Sequence, residues 1–297
     1  MKKLAKEIWI VAAKRTAFGA LAGSLKDVSA IDLAVHAAKA ALEAGRVSAA
    51  DVDQVILGNV QQTSADAIYG ARHVGLKAGV PIEKPALTLN RLCGSGFQAV
   101  VTAAEQILLG EAHCVLAAGS ENMTQAPHQI FGLRDGAAKF GKPPVMQDSL
   151  WEALTDSYCK LPMAVTAENL AVKYGITREM VDQFALRSQK KHAAAQESGG
   201  FADEIAPMTV KAGRKEIVVD KDEHARPDTT METLAKLPPV FKKDGVVTAG
   251  NASGICDGAA ALVVVDAEWA KSKGLTPLAR LVQWGVAGVD PSIMGIG

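Results

Sequence analysis

The sequence predicts an α/β fold opened by parallel βαβ units, on three observations. From residue 7 to about 119, short β-branched runs alternate with longer Ala- and Gly-rich stretches of helical period. A chain of 297 residues is long enough for about two domains of roughly 150 residues, or one enlarged domain. Hydrophobic residues make up 48%, charged residues 22%, and mean hydropathy is +0.11, a composition that buries a core and excludes a disordered or fibrous chain.

The first strand is Ile8 to Ala13. Lys2 and Lys3 ahead of it give a superficial look of a secretory signal, but Glu7 precedes the apolar run and Lys14 and Arg15 end it. Ala30 to Ala44 is a helix, because Ile31, Leu33, Ala34, Ala38, Ala41 and Leu42 recur near a 3.6 period and Ser29 with Asp32 has the form of a capping box. Strands follow at Gln54 to Gly58, Ala86 to Asn90 and Cys114 to Gly119. After Gly119 the rhythm breaks at Pro127, Gly132, Gly136, Gly141, Pro143 and Pro144, the mark of an insertion. Within it Thr166 to Tyr174 and Thr177 to Gln196 read as helices, Glu216 to Asp220 as a strand and Lys221 to Arg226 as a charged segment. Ala259 to Val265 resumes the sheet as a buried strand, and Pro277 to Trp284 begins another. The expected domains are therefore residues 1–122 with 246–275, an insertion at 123–245, and the start of a further part at 276–297. The closing segment from Gly288 to Gly297 reads as a connection toward something further, so a truncated chain is expected.

Lys plus Arg and Asp plus Glu are 32 each, leaving no net charge to hold a polyanion, so nucleic acid is excluded as a partner. No apolar run is read as approaching the ~18 residues of a spanning helix, so no membrane is expected either. Cys93, Cys114, Cys159 and Cys256 form no C-x-x-C pair, against structural zinc or a disulfide scaffold and in favour of a reducing cytoplasm. The six histidines form no H-x-x-x-H pair, and no metal is expected.

Chemistry concentrates in Leu87 to Val100, a strand that turns through glycines into a helix. Cys93 stands at that helix start, where free N–H groups and the positive end of the macrodipole favour a thiolate nucleophile. Gly94 and Gly96 permit a sharp turn and close approach of a substrate, and the Cys93 N–H is available to a developing oxyanion. The competing structural reading is a small buried hydrophobe. Gly94-Ser-Gly96-Phe-Gln-Ala99 also fits G-x-G-x-x-A, a dinucleotide fingerprint of an NAD(P)-dependent oxidoreductase, although it lies in the third βα unit rather than the first. Lys211, Arg214, Lys215, Lys221 and Arg226 form either a phosphate-contacting cluster or a solvated face balanced by Asp220, Asp222 and Glu223. Thr248 to Gly258 is a Gly-rich run suited to close backbone approach to a ligand, or only a loop.

Asn90 to Val100 resembles the nucleophile segment of the thiolases, the acyl-CoA C-acyltransferases. The likeness continues in family order through Gly119 to Pro127, Met163 to Leu170, Asp222 to Pro227, Thr248 to Gly254 and Gly288 to Gly295. It implies two similar α/β halves, with a loop domain inserted in the first that binds coenzyme A, and an active site between the halves. Cys93 then matches the acylated cysteine, Arg226, Thr233 and Ser253 fall at coenzyme A contacts, and Met163 lines the acyl and pantetheine pocket. Leu161-Pro162-Met163 is closer to the degradative 3-ketoacyl-CoA thiolases than to members with His before that Met. Coenzyme A thioesters are the implied substrates, with no permanently bound cofactor, and a homodimer or homotetramer is the implied assembly. The family's Asn-Glu-Ala-Phe, Gly-His-Pro and Cys-x-Gly-Gly-Gly motifs have no counterpart before Gly297. An expectation of a mostly missing second half, an exposed apolar face and an alternative role as a catalytically incomplete coenzyme A-binding fragment follows.

Overall fold

A computed structural model of the chain describes residues 4–134, 136 and 139–297, so Lys2 and Lys3 lie outside the described residues. The chain forms two compact units, one of Met1–Gln125, Gly200–His224 and Ile255–Gly285, the other of Ala126–Gly199, Ala225–Gly254 and Val286–Gly297.

The first unit is built on β1 (Ile8–Arg15), α1 (Ala30–Ala44), β2 (Gln54–Gly58), α2 (Gly70–Ala78), β3 (Ala86–Leu89), α3 (Ser95–Leu109) and β4 (Cys114–Asn122). To these it adds a hairpin of β5 (Met208–Ala212) and β6 (Lys215–Val219), then β7 (Cys256–Asp266) and β8 (Ala279–Leu281). Along the sheet the order is β8-β1-β7-β4-β2-β3. The α/β expectation holds, but the sheet is mixed and not parallel. β2 runs parallel to β3 and β4, whereas β7 is antiparallel to both β4 and β1, and β8 is antiparallel to β1. Helical crossovers fix the direction of the early strands, while β7 returns from the long excursion after β4 with no crossover helix to impose a parallel entry.

Period-2 alternation divides the sheet's side chains between two layers. Leu116, Ala118, Ala261, Val263 and Val265 pack with Leu33, Ala34, Ala37, Ala38 and Ala41 of α1. Val115, Ala117, Ile56 and Val264 pack with Ala99, Ala103, Ala104 and Ile107 of α3. Covered on both faces, β7 reads in sequence as a continuous apolar run for that reason. The α1 boundary is set by Ser29, whose Oγ accepts the Asp32 N–H at 3.0 Å. One expectation about membranes needs correcting: Leu92–Leu109 is 18 residues with mean hydropathy 1.2, long and apolar enough to span. Its alanines are small because α3 must lie close on the sheet.

The charged segment before Arg226 is not simply a solvated face. Arg15, at the end of β1, makes two bonds to Asp222 at 2.7 and 3.0 Å and one to Glu204 at 2.8 Å, and Glu223 accepts the Ala20 and Ser24 N–H groups. The β5–β6 hairpin thus falls with the first unit, where Val210 and Val219 join its core.

Asp53 ties β2 to β4 by accepting the His113 and Cys114 N–H groups and Lys84 Nζ. Burial pushes its carboxyl up, but the bonds from His113, Lys84 and Cys114 outweigh it and hold the group below the usual carboxylate range. A lowered folded value means stability that is present above about pH 4 and lost as pH falls through the folded value. Circular dichroism against pH should therefore show unfolding below about pH 4, with Asp53→Asn less stable at pH 7 and less sensitive to acid. A variant as stable as the parent at pH 7 would contradict this role.

The second unit carries α4 (Met163–Tyr174), α5 (Arg178–Glu197), capped by Thr177, and α6 (Met231–Ala235). Residues 246–254 belong to this unit, and 276–285 to the first, where β8 pairs with β1.

Candidate active site

Within the first unit, β3 ends at Leu89 and α3 begins at Ser95, leaving five residues to make the turn that holds Cys93. Asn90 Oδ1 accepts the Leu92 N–H at 2.8 Å, and Leu92 is left-handed at φ +48, a conformation that costs a branched residue free energy. Ser95 stitches the turn by donating Oγ–H to the Leu92 carbonyl at 2.6 Å and accepting the Arg91 N–H at 2.9 Å. Gly94 is the N-cap, so Cys93 lies just outside the helix rather than in its first turn. Cys93 is exposed, against the buried-hydrophobe reading. The Gly96 and Phe97 N–H groups have no hydrogen bond among the described residues, leaving two first-turn donors open beside it.

The turn is seated on two strand ends. A Cβ on Gly58 at the end of β2 would lie 2.5 Å from both the Ser95 carbonyl carbon and oxygen and 2.9 Å from the Gly96 nitrogen. A Cβ on Gly119 of β4 would lie 3.4 Å from Gly96 Cα. Glycine at 58 therefore serves close approach of one backbone to another, and its spacing from Cys93 gives no local sequence signal.

The other expected site residues all lie in the second unit. Met163 opens α4, its N–H bonded to the Leu154 carbonyl at 2.9 Å. Arg226 is exposed and its N–H donates to Gln189 Oε1 of α5 at 2.9 Å. Thr233 sits in α6, with its hydroxyl already in a capping box with Thr230. Ser253 is exposed on a loop anchored by Asn251, whose Nδ2 donates to Asp182 Oδ1 of α5 at 2.8 Å. A groove of about 390 Å³ runs beside α6, lined by Gln183, Leu186, Arg187, Lys190, Lys191, Ala194 and Met231. Of the five cations singled out in sequence, Lys211, Arg214, Lys215 and Lys221 lie in the first unit and only Arg226 lies in the second. The groove's cations are instead Arg187, Lys190 and Lys191, whose spacing at i, i+3 and i+4 along a helix places them on one side.

Residues 8–268 match the family described as Thiolase, N-terminal domain. The chain belongs to the thiolase family. Over 294 residues, 99% of this chain and 74% of the relative, it is 56% identical to the mitochondrial 3-ketoacyl-CoA thiolase of Homo sapiens. An acetyl-CoA acetyltransferase of Rhizobium meliloti is 46% identical over 98% of this chain and 73% of the relative. The crystal structure of the human mitochondrial 3-ketoacyl-CoA thiolase in complex with CoA matches with a TM-score of 0.95 at 56% identity, covering 99% of this chain and 73% of that one. The thiolase fold and the acyltransferase class thus stand, and the reading of the chain as an NAD(P)-dependent oxidoreductase gives way to them. The cytoplasmic location does not stand, because the human and mouse relatives are mitochondrial enzymes. Four free cysteines fit a reducing environment without saying which compartment supplies it.

Proposed function

We propose that Cys93 is the acyl-accepting nucleophile of a 3-ketoacyl-CoA thiolase, and the observation that carries it is an exposed cysteine on a strained turn beside two unpaired helix N–H groups. Its thiolate adds to the 3-keto carbonyl. The bond between C2 and C3 then breaks, acetyl-CoA leaves as an enolate that takes up a proton, and the shortened acyl group remains as a thioester on Cys93. Attack by the thiol of a second coenzyme A releases acyl-CoA and returns the cysteine. Run backwards, the same steps condense two acetyl-CoA molecules. Leu161-Pro162-Met163 favours the degradative direction and a place in fatty-acid β-oxidation.

Coenzyme A is read as a substrate that comes and goes, and the human relative's structure contains it. Arg226, Thr233, Ser253 and Met163 are the proposed contacts, in a coenzyme A-binding part made by the second unit. The groove on α5 suits its phosphates, because Arg187, Lys190 and Lys191 offer charge while Leu186, Ala194 and Met231 offer an apolar floor. A catalytically incomplete coenzyme A-binding fragment is the second reading, favoured by one observation: among the described residues of the first unit no side chain hydrogen-bonds Cys93 Sγ to act as its base. Thiolysis of acetoacetyl-CoA by the 297-residue chain, with Cys93→Ala as the blank, separates the two. Loss of substrate above the blank is expected for the enzyme; calorimetric binding of coenzyme A with no turnover points to the fragment.

A homodimer or homotetramer is proposed on exposed apolar residues in and next to β3 and the start of α3: Ile82 and Phe97 are 76% and 82% exposed, and Leu87 and Leu92 are exposed as well. Hydrophobic-dye binding that falls as the protein is concentrated, with elution above the 31.0 kDa monomer, is expected. A monomer that binds no dye would contradict it.

A further inference from the structure

Glu121, on β4 two residues beyond Gly119, has no task in the acyl transfer proposed above, yet its carboxyl group is the hub of the strand ends on which the nucleophile turn sits. Its oxygens accept the Val60 N–H at 3.0 Å, the Gln61 N–H at 2.9 Å and Asn59 Nδ2 at 3.1 Å. Asn59 Nδ2 also donates to the Ser120 carbonyl at 2.8 Å, and the Asn59 N–H to the Leu89 carbonyl at 3.1 Å. The carboxylate thereby ties the chain leaving β2 to the end of β4, and the Asn59 main chain ties the same segment to the end of β3. Burial pushes this carboxyl above its ordinary range despite the three donors, so the position is an expensive one for a charge.

From this hub two routes lead to Cys93. The Val60 carbonyl accepts Asn90 Nδ2 at 3.4 Å, and the same Asn90 side chain holds the Leu92 N–H at 2.8 Å, the bond that fixes the left-handed residue before Cys93. Beneath the turn, Gly58 and Gly119 are the strand residues that touch Ser95 and Gly96, and Glu121 ties together the segments immediately following both. We propose that Glu121 is a positioning residue for the nucleophile: by clamping residues 59–61 to the end of β4, it holds the Asn90–Leu92 turn and the seat of α3 so that the open N–H groups of Gly96 and Phe97 face the Cys93 sulfur. This rests on the reading of Cys93 as nucleophile, and extends it to a residue 28 positions away in sequence that touches neither substrate nor sulfur.

The test is the rate at which iodoacetamide alkylates Cys93 in the 297-residue chain, followed peptide by peptide by mass spectrometry across pH. Cys114 reports folding in the same sample, because it is fully buried and burial pushes its thiol up to about 12. Glu121→Gln replaces an acceptor oxygen with an NH2 group facing main-chain donors, and should slow Cys93 alkylation about three- to tenfold and move its pH profile upward while Cys114 stays protected. Asn90→Ala, at an exposed position, should do the same and decides the matter if Glu121→Gln lets Cys114 react. Rates at Cys93 that are unchanged or faster with Cys114 protected overturn the proposal. Because alkylation needs no coenzyme A, failure of the wild-type chain to form a thioester would sink the acyl-transfer reading alone and leave this comparison decisive for Glu121.

Discussion

Gly58→Ala is expected to cut thioester formation at Cys93 by about a hundredfold while leaving the chain folded. The added Cβ meets backbone atoms of Ser95 at 2.5 Å, and ordinary contact begins at 3.4 Å, so the start of α3 must retreat by 3.4 − 2.5, about 1 Å. No rotamer change can relieve this, since the atoms struck are a carbonyl carbon and oxygen at the end of a helix packed on the sheet by Ala99, Ala103 and Ile107. The turn therefore takes up the displacement, and misplacing a nucleophile by that distance is enough to cost two orders of magnitude. Gly285→Ala is the control, because a Cβ there meets nothing within 4 Å. Acylation measured from acetoacetyl-CoA should be near the parent's for Gly285→Ala and nearly absent for Gly58→Ala. Equal rates in the two variants would mean that the seat under α3 does not set the position of the sulfur.

The second large effect belongs to the other unit and is one of stability. Glu168 in α4 is only 2% exposed, and its Oε1 accepts the Val246 and Val247 N–H groups at 3.0 and 2.8 Å while Oε2 shares the Val246 N–H at 2.9 Å. A few residues on, Asn251 donates to Asp182, itself held by Arg178 Nε at 2.7 Å, and Arg178 Nη2 donates to the Leu234 and Leu237 carbonyls. Two buried acids thus pin the loop that displays Ser253. Glu168→Ala strands two main-chain donors away from water at roughly 1–3 kcal/mol each, so a loss of about 3 kcal/mol in urea unfolding is expected, together with weaker coenzyme A binding. Glu168→Gln keeps one acceptor and should lose about half as much. Glu168→Ala as stable as the parent would show that the loop is held by its other contacts.

Local physics is what the sequence displays. The 3.6-period run of α1 and its Ser29 cap are legible because both lie within a few residues of one another, and β2 is legible for the same reason: Gln54–Gly58 is a short apolar run between turns. Cys93 stands out because its glycines and its helix are contiguous with it. The antiparallel entry of β7 is not legible, since nothing in Cys256–Asp266 records the direction from which a long excursion returns. Gly58 and Glu121 are invisible for a related reason: their importance lies in what they meet across the sheet, Ser95 in one case and residues 59–61 in the other. The basic residues show how linear proximity misleads. Lys211, Arg214 and Lys215 are neighbours of Arg226 in the chain, yet they sit on or between the strands of a hairpin in the other unit, whereas Arg187, Lys190 and Lys191 line the groove by α6 from a helix begun at Arg178.

Cys93 as the acylated residue is the point on which the functional reading turns, and acid-quenched peptide mapping after brief exposure of the chain to acetoacetyl-CoA tests it most directly. An acetyl thioester on the peptide containing Cys93, absent from Cys93→Ala and discharged by added coenzyme A, is the expected result. An acetyl group on Cys159 or Cys256 instead, or no thioester on a chain whose Cys114 remains protected, would contradict it.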